Sequence, residues 1–175
     1  MAMSNINLIK SQRRAVGQMP QWLYRLLLWT AVIGLMAGIF LFSAQEGPVS
    51  DGMTAAAVMP LAEMLSEMQD GSTESVTMFY IIIGTIVRKI AHMLEYALLG
   101  ALVHLLLRSY GLRMWWLTML IGVAYAVSDE VHQAFVPGRL GVPTDVLIDA
   151  VGVAAGLLIV RYIDHIRRKK HVHDQ

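Results

Sequence analysis

The chain has 175 residues, 56% of them apolar, 15% charged and none cysteine. Soluble domains carry roughly 25% charged residues, so this composition points to a membrane protein; the missing thiols exclude disulfides, thiolate metal sites and cysteine nucleophiles. A net charge of +1 is uninformative as a sum, but its distribution along the chain carries a topology.

Four segments are apolar enough, and about long enough, to cross a hydrocarbon core of ~30 Å, which takes about 20 helical residues. They are roughly 22–42, 88–107, 114–135 and 144–163. A cleavable leader is the weaker reading of the first, because the apolar run exceeds the usual core of such a signal. Lys10, Arg13, Arg14 and Arg25 precede or open the first span, and Arg108 and Arg113 fill the turn between the second and third. Arg161, Arg167, Arg168, Lys169 and Lys170 close the fourth. The positive-inside rule makes all three regions cytoplasmic. The sequence therefore predicts an all-α, four-transmembrane-helix bundle with both termini cytoplasmic. It has a basic tail over 1–21, a membrane domain over 22–163 and a second basic tail over 164–175. The tail "RRKKHVH" reads as a topology anchor meeting anionic lipid, and no nucleic-acid partner is expected.

The loop 43–77 carries Glu46, Asp51, Glu63, Glu67, Asp70 and Glu74 with no Lys or Arg, which fits an extracytoplasmic position. Within it "PLAEMLSEM" puts Leu61, Met64, Leu65 and Met68 on one helical face, with Pro60 suited to the first turn. A short amphipathic helix is expected there, ended by "DGST". The apolar stretch 76–87 has three placements open: re-entrant, interfacial, or an extension of the second span. Gly34 with Gly38 and Gly152 with Gly156 have the spacing that lets membrane helices pack closely.

In this topology the unusual polar residues fall at one depth. The second span begins with Arg88, Lys89, His92, Glu95 and Tyr96; the third ends with Tyr125, Ser128, Asp129, Glu130, His132 and Gln133. The turn "VPGRLGVP" adds Arg139, the fourth span opens with Asp145 and Asp149, and the first closes with Ser43 and Gln45. Ionisable groups inside a membrane normally face a bundle interior or a watery cavity. The bland alternative is a network of paired charges holding helices together. Arg88, Lys89 and Arg139 neutralise only three of Glu95, Asp129, Glu130, Asp145 and Asp149, which leaves acid in surplus. His92 with Glu95, and Asp129 with His132, have ligand-capable spacing, but Lys89 and Arg139 oppose a cation, so no metal is assigned. His104, deep in an apolar run, reads as a packing residue.

The segments "FSAQE", "RKIAHMLEYALLG" and "SDEVHQAFVPGRLGVPTDVLIDAVGVAAG" resemble the VanZ-like family of small bacterial membrane proteins, named for a member linked to teicoplanin resistance. The resemblance covers about residues 30–160. Its most specific part is D-E-x-x-Q, P-x-R and D-x-x-x-D in order, preceded by K-x-x-H-x-x-x-Y. It carries over the polar positions Ser43, Gln45, Lys89, His92, Tyr96, Asp129, Glu130, Gln133, Pro137, Arg139, Asp145 and Asp149. It implies a bacterial cytoplasmic-membrane location and an association with glycopeptide tolerance, but no established chemistry and no cofactor.

Two functional classes follow. In the first, the polar wedge is a pocket binding an anionic lipid-linked or peptide ligand, a glycopeptide included. Ser43, Gln45, Lys89, Tyr96, Gln133, Arg139, Asp145 and Asp149 would line it. In the second it is an enzyme acting on a lipid-linked envelope precursor, with His92, Asp129 and Glu130 as acid and base. No G-x-S-x-G or H-E-x-x-H motif is present.

Overall fold

The computed structural model describes residues 19–45, 47–138 and 142–173. The first 18 residues, which hold most of the basic N-terminal tail, lie outside the described residues, as does Arg139. Among those described, every regular element is a helix: α1 (Gln21–Ser43), α2 (Gly47–Gln69), α3 (Thr73–Ser109), α4 (Trp115–Gln133) and α5 (Pro143–His173). The helix α3 is central, touching all four others, and its longest interface is with α5.

At 1.5 Å per residue the 37 residues of α3 extend about 55 Å, well beyond a hydrocarbon core of ~30 Å. Of the three placements for 76–87, the extension is the one found: the stretch continues the second span as one unbroken helix. It packs against α2 as an antiparallel hairpin. The turn between them is built from short polar side chains. Ser72 caps α3 by accepting from the Ser75 backbone N–H at 3.1 Å, and Asp70 Oδ1 accepts from the Ser72 N–H at 3.0 Å. Gly71, at φ 66, takes the left-handed conformation that reverses the chain.

The loop helix departs from expectation in length and in face. It runs for 23 residues, with Pro60 inside it rather than in its first turn. Its buried face is Val58, Ala62 and Ser66, whereas Leu61, Met64 and Met68 are exposed. Small residues win the interface because they let α2 lie close to α3, with Ser66 Oγ hydrogen-bonded to Ser75 Oγ across the hairpin. The longer apolar side chains face outward.

Glycine explains the tightest contact. A Cβ at Gly152 would lie 2.4 Å from the Met93 carbonyl oxygen, and one at Gly156 1.8 Å from that of Ala97. Gly100, on the facing side of α3, would place a Cβ 2.4 Å from the Val153 carbonyl oxygen. Only hydrogen fits at these three positions, so α3 and α5 meet backbone to backbone. The first pair behaves differently: around Gly34 and Gly38 nothing lies within 4 Å of an added Cβ. The expected close-packing role therefore belongs to α5 and not to α1.

The core joins Leu28, Val32 and Ile39 of α1 to Tyr96, Leu99, Val103 and Leu106 of α3, Ala126 of α4 and Val153 of α5. Outside that core the surface is strongly apolar, with Trp22, Leu41, Leu94, Leu120, Leu147 and Leu158 all exposed. This inversion suits a lipid environment. Three helices are long and apolar enough to cross a membrane: α1, α3 and α5. The fourth expected span, α4, is only 19 residues long and ends in Ser128, Asp129, Glu130, His132 and Gln133, which lower its hydropathy. Through the basic C-terminal segment α5 continues to His173. Its cations fall near the helix C-terminus, where the macrodipole favours them.

At the opposite end from the hairpin, α1 is tied to the end of α3. Arg25 donates to the Ser109 carbonyl at 2.7 Å and lies over the Tyr110 ring at 4.2 Å, and Trp29 Nε1 donates to Tyr110 Oη at 3.1 Å. Gly111, at φ 82, closes α3, with the Gly111 and Leu112 N–H groups donating to the Arg108 and Leu107 carbonyls.

Candidate functional site

The C-terminal ends of α1 and α4 meet at Asp129. Ser43, the last residue of α1, donates its hydroxyl to Asp129 Oδ2 at 2.9 Å. Gln133, one turn further along α4, donates Nε2 to the same oxygen at 2.9 Å and to Ser43 Oγ at 3.1 Å. All three residues are buried. The i, i+4 spacing of Asp129 and Gln133 puts both on one face of α4, and Phe40 and Tyr125 seal the seam beside them. Phe40 stacks on His132 with ring centroids 4.3 Å apart, and Tyr125 Oη donates to the Met36 carbonyl at 2.6 Å.

Behind this triangle lie Tyr96 and Asp149. Tyr96 is wholly buried and Asp149 is 2% exposed. Among the described residues, four buried polar atoms here have no partner: Tyr96 Oη, Asp129 Oδ1, His132 Nε2 and Asp149 Oδ1. Leaving such an atom unsatisfied costs about 1–3 kcal/mol, more when it is charged.

In front of the triangle is a cleft of about 230 Å³ between the end of α1, α2 and α3. Ser43, Gln45, Arg88, His92 and Glu95 provide its polar lining, and Phe42, Met53 and Val87 its apolar part. Ser43 thus belongs to both features, with its hydroxyl bonded to Asp129 and its residue on the cleft wall.

The remaining predicted residues are placed separately. Lys89 Nζ pairs with Asp145 Oδ1 at 2.6 Å, both side chains about two-fifths exposed at 41% and 39%. The pair bridges α3 to the start of α5 at the rim and lines no part of the cleft. Glu130 is buried, and its Oε1 accepts the Val142 backbone N–H just before α5, a contact that anchors the connection after α4. Pro137 and Gly138 lie in that connection, and Arg139 is outside the described residues. The arrangement joins Ser43, Asp129 and Gln133 directly, places Gln45 and His92 on the neighbouring cleft, and holds Lys89 with Asp145 apart from both.

Two charged cleft residues were absent from the predicted site, Arg88 and Glu95. The hairpin brings them in, because α2 supplies the opposite wall. His104 is buried as expected, and its Nδ1 lies 3.1 Å from Thr118 Oγ1. Among the described residues no three His, Asp or Glu side chains converge as a metal site.

An all-helical bundle with an apolar exterior and three helices fit to span a bilayer defines a membrane protein. The VanZ/LLP1 family model matches residues 28–164, and the chain belongs to that family. No curated protein and no solved structure gives a significant match.

Proposed function

We propose that the protein crosses the bacterial cytoplasmic membrane four times with both termini inside, and that its outward-facing cleft binds an envelope ligand. The ligand carries an anion together with hydroxyl or amine donors, as a lipid-linked precursor or a peptide or glycopeptide does. By family resemblance this binding contributes to teicoplanin-type tolerance. The observation that carries the reading is the cleft of Gln45, Arg88, His92 and Glu95 set directly against the buried Ser43–Asp129–Gln133 triangle. Arg88 supplies a planar fork for a phosphate or carboxylate. Glu95, on the cleft wall, accepts the ligand's donors.

The topology rests on charge and aromatic placement. Arg25, Arg108 and Arg113 gather where α1 begins and α3 meets α4, and exposed Trp22, Trp115 and Trp116 lie at the same end, as in an interfacial belt. The fourth crossing is α4, whose polar end meets α1 through Ser43 and Phe40 and the start of α5 through Val142.

A second reading, acid/base catalysis on the same kind of ligand, is favoured by the unpartnered atoms of Tyr96, Asp129 and Asp149. In it His92, Asp129 and Glu130 exchange protons with the bound group. The test is glycopeptide susceptibility of cells carrying wild-type, His92→Ala or Asp129→Asn protein at equal membrane levels. The binding reading expects both variants to lose teicoplanin tolerance. Tolerance unchanged in both would remove this function from the cleft. Turnover of a lipid-linked precursor by the wild type, lost in His92→Ala, would favour the enzyme.

A further inference from the structure

The far end of the bundle carries a feature that the outward cleft does not use. Along α3, Arg108 lies about 28 Å from Lys89 at 1.5 Å rise per residue. There a cavity of about 360 Å³ is lined by His104 and Arg108 of α3, Arg113 of the following turn, and Arg161, Asp164 and Arg168 of α5. Four arginines thus face one aspartate. Arg108 takes that aspartate in an ion pair. Among the described residues Arg113, Arg161 and Arg168 have no carboxylate partner. Topology signals explain cations at this end but not their gathering from three separate elements around one concavity, where their mutual repulsion is unfavourable. His104 forms part of the wall, steadied by its contact with Thr118.

The geometry points to a second binding site, for a phosphate-bearing anion held by Arg113, Arg161 and Arg168. Guanidinium forks match phosphate oxygens two at a time. The Arg108–Asp164 pair keeps one further arginine oriented at the cavity edge. Leu158, Ile159, Tyr162 and Ile163, all exposed, surround Arg161 on α5. Acyl chains would have apolar neighbours there, so a phospholipid headgroup is the favoured source of the phosphate and a soluble phosphoester the other. The inference is independent of the outward cleft.

The experiment is calorimetric titration of the full chain in neutral detergent, with short-chain phosphatidic acid in one arm and glycerol 3-phosphate in the other. Saturable binding in the lipid arm alone identifies a headgroup site; saturable binding of glycerol 3-phosphate identifies a soluble phosphoester. Either supports the proposal if the R113Q/R161Q double variant weakens binding by about tenfold or more. An R167Q/K169Q control, with both changes outside the cavity lining, should bind as wild type. Asp164→Asn removes the cavity's one acid without deleting a topology signal, and should tighten binding by about fivefold. It keeps the test decisive if the arginine double variant fails to insert. Binding in neither arm, or binding unmoved by the arginine and Asp164 changes, overturns the proposal.

Discussion

Ser43 and Asp129, separated by 86 positions in the chain, meet hydroxyl to carboxylate at 2.9 Å and are both buried. The contact closes the C-terminal end of α1 onto α4, two helices that otherwise touch only lightly. It also joins the buried acids to the open cleft, because Ser43 stands on the wall between them.

Removing that hydroxyl leaves Asp129 Oδ2 with one donor, Gln133, in a place where Oδ1 already has none. Ser43→Ala should therefore lower stability by about 1–3 kcal/mol, the cost of an unsatisfied buried polar group. Ser128→Ala is the control: Ser128 is exposed and bonds only to the Tyr125 carbonyl of its own helix. Its effect should stay within about 0.5 kcal/mol. Thermal unfolding of both variants in detergent measures the difference. Equal midpoints would mean that the Ser43–Asp129 contact contributes nothing to closing the bundle.

The α3–α5 contact gives a sharper contrast. Gly156→Ala puts a methyl group 1.8 Å from the Ala97 carbonyl oxygen, and the intruding neighbour is backbone, which cannot rotate away. The helices must separate, at a cost of about 3 kcal/mol. Gly34→Ala meets open space and should be neutral or stabilising by up to about 1 kcal/mol through helix propensity. The same unfolding assay ranks the two, and a harmless Gly156→Ala would refute the backbone-to-backbone packing.

These glycines show what the sequence carried and what it did not. Spacing identified two small-residue pairs equally, yet only the pair on α5 is used, because spacing says nothing about which helix lies opposite. The depth of the polar residues was legible, since lipid penalises them at every position except a protected one. Their partners were not. Lys89, His92 and Tyr96 open the same span, but Lys89 turns to Asp145, His92 to the cleft, and Tyr96 to the core. Arg88 and Glu95 enter the cleft because α2 folds back along α3, and that hairpin depends on Val58, Ala62 and Ser66, residues too small to stand out in an amphipathic pattern. Pro60 reads as a helix start by local preference, and the tertiary contact with α3 carries the helix through it.

Asp70, at the tip of the hairpin, offers a titration test. The hydrogen bond from the Ser72 backbone N–H comes first in holding its carboxyl below the ordinary 3.8, followed by the side chains of Ser75 and Ser72. A folded value below the unfolded one means that the ionised carboxylate supports the turn above the unfolded pKa. That support is lost as pH falls through the folded value. A carboxyl titration followed by NMR should place Asp70 below 3.8, and Ser72→Ala, by disturbing the turn, should move it up. A midpoint at or above 3.8 in the wild type would discard the proposed turn.

The number of crossings turns on α4. With no native cysteine, single cysteines report sidedness without background. Glu74→Cys sits in the first turn of α3, Leu112→Cys in the turn between α3 and α4, and Phe135→Cys just beyond α4 at a position 82% exposed. Four crossings with both termini inside require an impermeant thiol reagent to label positions 74 and 135 in intact cells, and 112 only after the membrane is opened. Labelling of 112 and 135 from the same side would mean that α4 does not cross. The buried carboxylates Asp129 and Glu130 would then lie on the side of the basic turn, and the outward cleft could not use them.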